Sequence, residues 1–155
     1  MFRTSITKEQ AWQKIKHYCA YQERCHQEVK EKLYGMGVWK RDVEELISKL
    51  IEEDYLNEER FALQFAGGKF RMKKWGKVKI EYELKQKRVS AYCVNKALKS
   101  ISAEEYEQTL TRLYQDKSDL LEKEDPLSKK RKLTDYLIRK GYERSRVMEL
   151  IHSKK

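Results

Sequence analysis

The sequence predicts an all-α protein, an elongated, curved array of three tandem three-helix repeats. Three observations predict it. First, one strip of positions recurs three times with identical internal spacing: Val29, Leu33, Gly37, Val38, Val43, Leu46, Ile47; then Ile80, Leu84, Arg88, Val89, Val94, Ala97, Leu98; then Leu133, Leu137, Gly141, Tyr142, Val147, Leu150, Ile151. A repeat of this period marks stacked supersecondary units, each too small to bury its own apolar face well. Second, a single proline and six glycines in 155 residues leave little to make hairpins. Third, apolar residues fall three or four apart, the spacing of one helix face.

The first repeat is placed at residues 1–55. Thr7 with Gln10 forms a capping box that opens its first helix. Val29 and Leu33 share a face of the second, and Gly37 follows as a left-handed terminator. Val43, Leu46, Ile47, Leu50 and Ile51 give the third a stripe of period near 3.6. The second repeat, residues 56–101, opens on Asn57 as N-cap, ahead of two glutamates suited to a helix N-terminus. Gly67-Gly68 is expected to interrupt that helix as a hinge or a close approach. A phosphate loop is not expected there, because no strand precedes it. The third repeat, residues 102–155, opens on a Ser102/Glu105 capping box and a long helix reaching about Glu124. Asp125-Pro126 should end that helix and open the next.

Charge is unevenly distributed. Lys+Arg is 35 against 25 for Asp+Glu, a net charge of +10 with pI near 9.4. Residues 1–55 are neutral overall, residues 102–155 carry +2, and residues 56–101 carry +8, with twelve basic and four acidic side chains. Such a field favours a polyanion or an acidic protein surface. The stretch 69–79 concentrates it, with six cations, no carboxylate, Phe70 and Trp75. Lysine and arginine neutralise phosphates, whereas Trp75 is read as a packing residue at a helix junction. The run Lys129-Lys130-Arg131-Lys132 shares a helix with Leu133 and Leu137 and is read as a solvated face.

No metal, cofactor or enzyme constellation is expected. Nucleotide-loop, zincin and nucleophile-elbow motifs do not occur. His17, Cys19, Cys25 and His26 lie close in sequence but lack zinc-ligand spacing. Three cysteines on apolar faces suggest reduced thiols in a cytoplasm. The longest run free of charged residues is residues 61–68, so neither a membrane span nor a signal-peptide core is expected.

Asp54-Tyr55-Leu56-Asn57-Glu58-Glu59-Arg60-Phe61-Ala62, then Lys74-Trp75-Gly76, then Ile80 and Leu84, resembles the RecX family of recombination regulators. Arg24-Cys25, Glu28-Val29 and Leu33 are similar to the family's Arg-Ser, Glu-Leu and Leu helix. The chain departs from the family at Asp54 and near Arg88, where glycine is usual. The turn geometry there is therefore open, since Arg88 either extends its helix or takes a costly left-handed conformation. The resemblance implies a non-enzymatic, monomeric modulator of the RecA recombinase. It would lie in the groove of the RecA–single-stranded DNA filament and inhibit filament growth, ATP hydrolysis and strand exchange. On this reading Arg71, Lys73, Lys74, Lys77 and Lys79 meet DNA phosphate or acidic recombinase surface, and Arg60 serves either as a partner contact or as an ion-pair residue. Tyr55, Phe61, Trp75, Ile80 and Leu84 belong to the core. The competing expectation is a general helical DNA-binding module with no recombinase dependence, although residues 90–100 are poor in base-reading side chains, offering chiefly Asn95, Lys96 and Lys99.

Overall fold

The computed structural model describes residues 6–153, and among them the protein is all-helical. Nine α-helices run in order: α1 (Lys8–Tyr21), α2 (His26–Gly35), α3 (Lys40–Glu52), α4 (Glu58–Gly68), α5 (Lys77–Gln86), α6 (Ala91–Lys99), α7 (Ala103–Leu120), α8 (Pro126–Arg139) and α9 (Arg144–Ser153). A π-helical turn, Lys69–Lys73, continues α4.

Local chemistry sets the helix starts. Thr7 and Gln10 form the full capping box of α1. Asn57 accepts the Arg60 N–H at the start of α4, and Ser102 accepts the Glu105 N–H at the start of α7. Asp125 caps α8, with Pro126 as its first residue. A cap that the sequence reading missed opens α2, where the Cys25 N–H donates to the Glu28 carboxylate at 2.9 Å.

The recurrent strip is one recurrent turn. In each repeat a leucine carbonyl closes the second helix by accepting from the residue five positions on: Val38 N–H to Leu33, Val89 N–H to Leu84, and Tyr142 N–H to Leu137. The intervening residue takes a left-handed conformation, at φ 86° for Gly37, 62° for Arg88 and 102° for Gly141. This is the Schellman terminator. Leu33, Leu84 and Leu137 are all fully buried. Arg88 therefore does not extend its helix. It adopts the conformation that costs a non-glycine residue about 1–2 kcal/mol. Asp54, at φ 63°, ends α3 in the same way.

Two expectations are corrected. Gly67-Gly68 does not break the helix, because α4 runs through both residues and widens into the π-helical turn beyond them. The long helix α7 stops at Leu120 rather than near Glu124, and residues 121–124 form a turn ahead of the Asp125 cap.

The apolar residues form two clusters. One lies in the first repeat, around Trp12, Ile15, Leu33, Leu46 and Leu50, and takes in Leu56 at the start of the second. The other joins the second and third repeats, running from Phe61 and Phe70 through Leu84 and Tyr106 to Tyr142 and Ile151, and it takes in Cys25 from the first repeat. The seams between repeats are therefore packed, and the basic stretch lies on one of them.

Candidate functional site

The basic stretch folds as the π-helical turn followed by a sharp corner into α5. The Trp75 N–H reaches back to the Lys69 carbonyl, and Lys74 takes a left-handed conformation at φ 61°. From there the backbone runs against the α8–α9 turn of the third repeat. The Gly76 N–H donates to the Lys140 carbonyl at 2.8 Å, and the Val78 N–H to the Gly141 carbonyl at 2.8 Å. The Tyr142 hydroxyl donates to the Lys74 carbonyl at 2.9 Å, and the Lys140 ammonium to the Lys73 carbonyl at 3.1 Å.

Tyr106 of α7 completes this clasp. Its hydroxyl accepts the Lys77 N–H at 2.8 Å and donates to the Glu143 carboxylate. Its ring packs between Phe70, at 5.8 Å, and Tyr142, at 5.1 Å. Burial first, then the Glu143 bond, pushes the Tyr106 pKa far above the ordinary phenol value. The hydroxyl therefore stays protonated and donates at any working pH.

The five cations expected here are brought together on this clasp, with different freedom. Arg71, Lys73 and Lys74 are exposed, while Lys77 and Lys79 are half-buried. The Lys77 ammonium lies 4.9 Å from the Tyr106 ring centre. Lys79 and Lys69 lie 4.6 and 5.1 Å from the ring centre of Trp75. Trp75 is half-buried and edge-on to Phe65 at 6.4 Å, which is the packing role read from the sequence. Arg71 folds back over Gly67, its guanidinium occupying the space a side chain there would need. Met72, 82% exposed, projects from the same turn as an apolar knob.

Sequence reasoning missed Lys140 and Arg112. Lys140 reaches the turn from the third repeat, and Arg112 of α7 lines a hollow beside Lys74. No local signal pairs either with residues 69–79, since the contacts span some 40 to 70 positions of chain.

Arg60 lies at the other seam. Its Nε donates to Glu23 at 2.6 Å, one terminal nitrogen to the Asp54 carboxylate at 3.2 Å, and the other to the Asp54 carbonyl at 3.0 Å. The guanidinium thus ties α4 to the α1–α2 connection and to the end of α3. Its hydrogen bond to Glu23 is the main cause holding its pKa above the usual arginine value. Lys87 adds a looser link to Glu28 at 3.7 Å.

Tyr55, Phe61, Trp75, Ile80 and Leu84 all pack on the two clusters. Cys19, Cys25 and Cys93 are free, buried thiols, and no metal-ligand cluster occurs among the described residues. No helix is long and apolar enough to cross a membrane among those residues.

Residues 57–98 match the family described as RecX, second three-helix domain. Regulatory protein RecX of Bacillus cytotoxicus is 32% identical over 127 residues, which is 82% of this chain and 47% of that protein. Regulatory protein RecX of Bacillus cereus is 28% identical over the same shares. The chain spans about half the length of the curated relatives it matches. Its fold matches the crystal structure of RecX from Lactobacillus salivarius with a TM-score of 0.85 and 20% identity, over 94% of this chain and 95% of the other. A second crystal structure, of regulatory protein RecX, matches with a TM-score of 0.83 and 19% identity, over 99% and 81%.

Proposed function

We propose that this chain, which matches the RecX second three-helix domain over residues 57–98 and is 32% identical to a regulatory protein RecX, regulates the RecA recombinase, lying in the groove of the RecA–single-stranded DNA filament and inhibiting filament growth, ATP hydrolysis and strand exchange. Its action is that of a cytoplasmic, monomeric binding protein in DNA repair and recombination, with no chemistry of its own. One observation carries this reading. The exposed cations of the second repeat stand on a turn that four hydrogen bonds from Lys140, Gly141 and Tyr142, donated or accepted, lock to the third repeat. A rigid basic ridge on a repeat array keeps its spacing as it follows a helical groove, and several weak contacts then add through effective concentration.

In this reading Arg71, Lys73, Lys74, Lys77 and Lys79 meet DNA phosphate or acidic recombinase surface, with Lys140 beside them. Arg60 acts at one remove, by holding the first repeat against the second. The deciding experiment is RecA's hydrolysis of ATP on single-stranded DNA. Substoichiometric protein should slow it, and unaffected hydrolysis at saturating protein overturns the proposal. A general duplex-binding module would instead bind naked duplex tightly at physiological salt. The fold weighs against that alternative, because on α6, its candidate recognition helix, Lys96 is paired with Glu59 at 3.3 Å.

A further inference from the structure

The first repeat is electrically neutral as a whole, yet its charge is sorted by face. Glu45 and Glu52 of α3, Glu53 just beyond it and Glu9 of α1 line a hollow with Lys8, Lys49 and Trp12, and there Lys8 is paired with Glu45. A separate groove runs between α1 and α2, and no carboxylate lines it. Lys14, His17, Tyr18 and Tyr21 enter it from one face of α1, Arg24 from the connection, and Lys32 from α2. Of the nearby carboxylates, Glu23 and Glu28 are engaged by Arg60 and Lys87, and Glu31, next to Lys32, lies outside the groove lining and accepts from the Gln27 side chain at 3.0 Å.

Arg24 is held in place. Its Nε donates to the Tyr18 carbonyl at 3.0 Å, satisfying an orphan acceptor in the last turn of α1, and its guanidinium lies 3.7 Å from the Tyr18 ring centre. Its two terminal nitrogens, like the ammonium groups of Lys14 and Lys32, form no hydrogen bond or ion pair among the described residues. The Lys32 ammonium sits 5.2 Å from the same ring. Beside this stack the Tyr21 ring is 76% exposed.

We propose that this α1–α2 groove is a subsite for single-stranded nucleic acid, in which Lys14, Arg24 and Lys32 take phosphates and a base stacks on Tyr21. Charge complementarity requires an anion, and the exposed ring beside the cations selects among anions. An acidic peptide would satisfy the cations and leave the ring unused, whereas every base presents a π-face to it. The groove belongs to a different repeat from the 69–79 turn, so a strand held at both is fixed at two points. This inference rests on the proposed action on single-stranded DNA.

The test uses the full chain, a fluorescently labelled thymidine oligonucleotide of about twelve nucleotides, within the usual site sizes for such proteins, and no recombinase. Tyr21→Ala should weaken binding by at least about fivefold, the lower end of what a stacked base contributes, and Tyr21→Phe should restore it. Lys14→Gln with Lys32→Gln should lower the slope of log affinity against log salt by about 1.4, roughly 0.7 per phosphate contact on a single strand. Far-ultraviolet dichroism should be unchanged throughout. Unchanged affinity and slope in these variants overturn the subsite, as does displacement of the oligonucleotide by polyglutamate as readily as by unlabelled DNA. Either result leaves the reading of the 69–79 turn standing. That reading fails separately, through recombinase hydrolysis that the protein does not slow.

Discussion

Gly76 and Gly141, on different repeats, cross so closely that a Cβ on Gly76 would lie 2.3 Å from the Gly141 carbonyl carbon and oxygen, and a Cβ on Gly141 would lie 2.3 Å from that of Lys79. At Gly76 the backbone, with φ −79°, suits any residue, so the demand for glycine there is one of space alone. The obstacle is backbone and cannot swing aside. Gly76→Ala must therefore part the second and third repeats or distort the corner. The expected loss is about 3 kcal/mol, the upper range for overpacking a closed contact. Urea unfolding midpoints measure it. Gly141→Ala should cost at least as much, since its φ of 102° adds backbone strain to the clash.

Arg88 offers the opposite case. It holds the left-handed position of the second repeat's terminator at φ 62°, where the other two repeats have glycine, and its side chain is exposed. Arg88→Gly should raise stability by about 1 kcal/mol, the strain relieved less the entropy glycine loses on folding. Asp54→Gly should yield no such gain, because the Asp54 carboxylate and carbonyl both hold Arg60. Thermal unfolding of the two variants side by side separates backbone strain from side-chain bonding.

These glycine and non-glycine positions show what the sequence carried and what it did not. Periodicity alone located the second and third helices of every repeat, because Leu33, Leu84 and Leu137 serve one geometric purpose three times. Capping residues marked the first helix of all three repeats for the same local reason. The clasp escaped notice because it pairs Lys73 with Lys140 and Lys77 with Tyr106, residues brought together only by the stacking of repeats. The π-helical turn had no signature beyond Gly67-Gly68, which suggested a break. The recognisable motifs also proved to be joint chemistry. Arg24 caps α1, Glu28 caps α2, Arg60 ties the first seam and Gly76 the second. A motif tells which joints a fold needs more directly than which surface meets a partner.

Arg60→Ala tests the first seam. It removes the partner of Glu23, whose other oxygen is already buried without a hydrogen bond. The guanidinium is about one-third exposed, so the loss falls below that of a fully buried pair, at about 1–2 kcal/mol. A double-mutant cycle with Glu23→Gln should return most of that as coupling energy. Additivity of the two variants would show that the pair contributes little and would free Arg60 for a partner role.

The buried thiols set an alkaline limit. Burial, foremost, raises Cys19 and Cys25 from the ordinary thiol value of 9.0 to about 11. A raised value means that the folded state keeps protons the unfolded state has released. The stabilising contribution is thus whole below pH 9 and is lost as pH rises toward 11. Replacing both with alanine should flatten the stability profile across that window, whatever packing loss it brings at neutral pH. In the native protein both thiols should resist alkylation at pH 8, with labelling limited by opening of the fold rather than by thiol chemistry.

The basic ridge is tested by charge reversal, and the structure says which lysines to reverse. The Lys77 ammonium lies over the Tyr106 ring, so Lys77→Glu mixes loss of partner contact with a carboxylate set against the seam. Lys73 and Lys74 are exposed, and they serve the clasp through backbone carbonyls that survive substitution. The Lys74 ammonium does return to the Arg71 carbonyl at 2.8 Å, a contact outside the seam. Lys73→Glu with Lys74→Glu should therefore abolish inhibition of recombinase ATP hydrolysis while leaving helicity and the unfolding midpoint nearly unchanged. The corresponding glutamines should give an intermediate effect that shrinks as salt rises, because screened charges lose their reach beyond about 10 Å at 0.1 M. Inhibition that persists in the double glutamate variant would move the contact off this turn, and Tyr106 and Gly76 would then hold a joint whose purpose is rigidity alone.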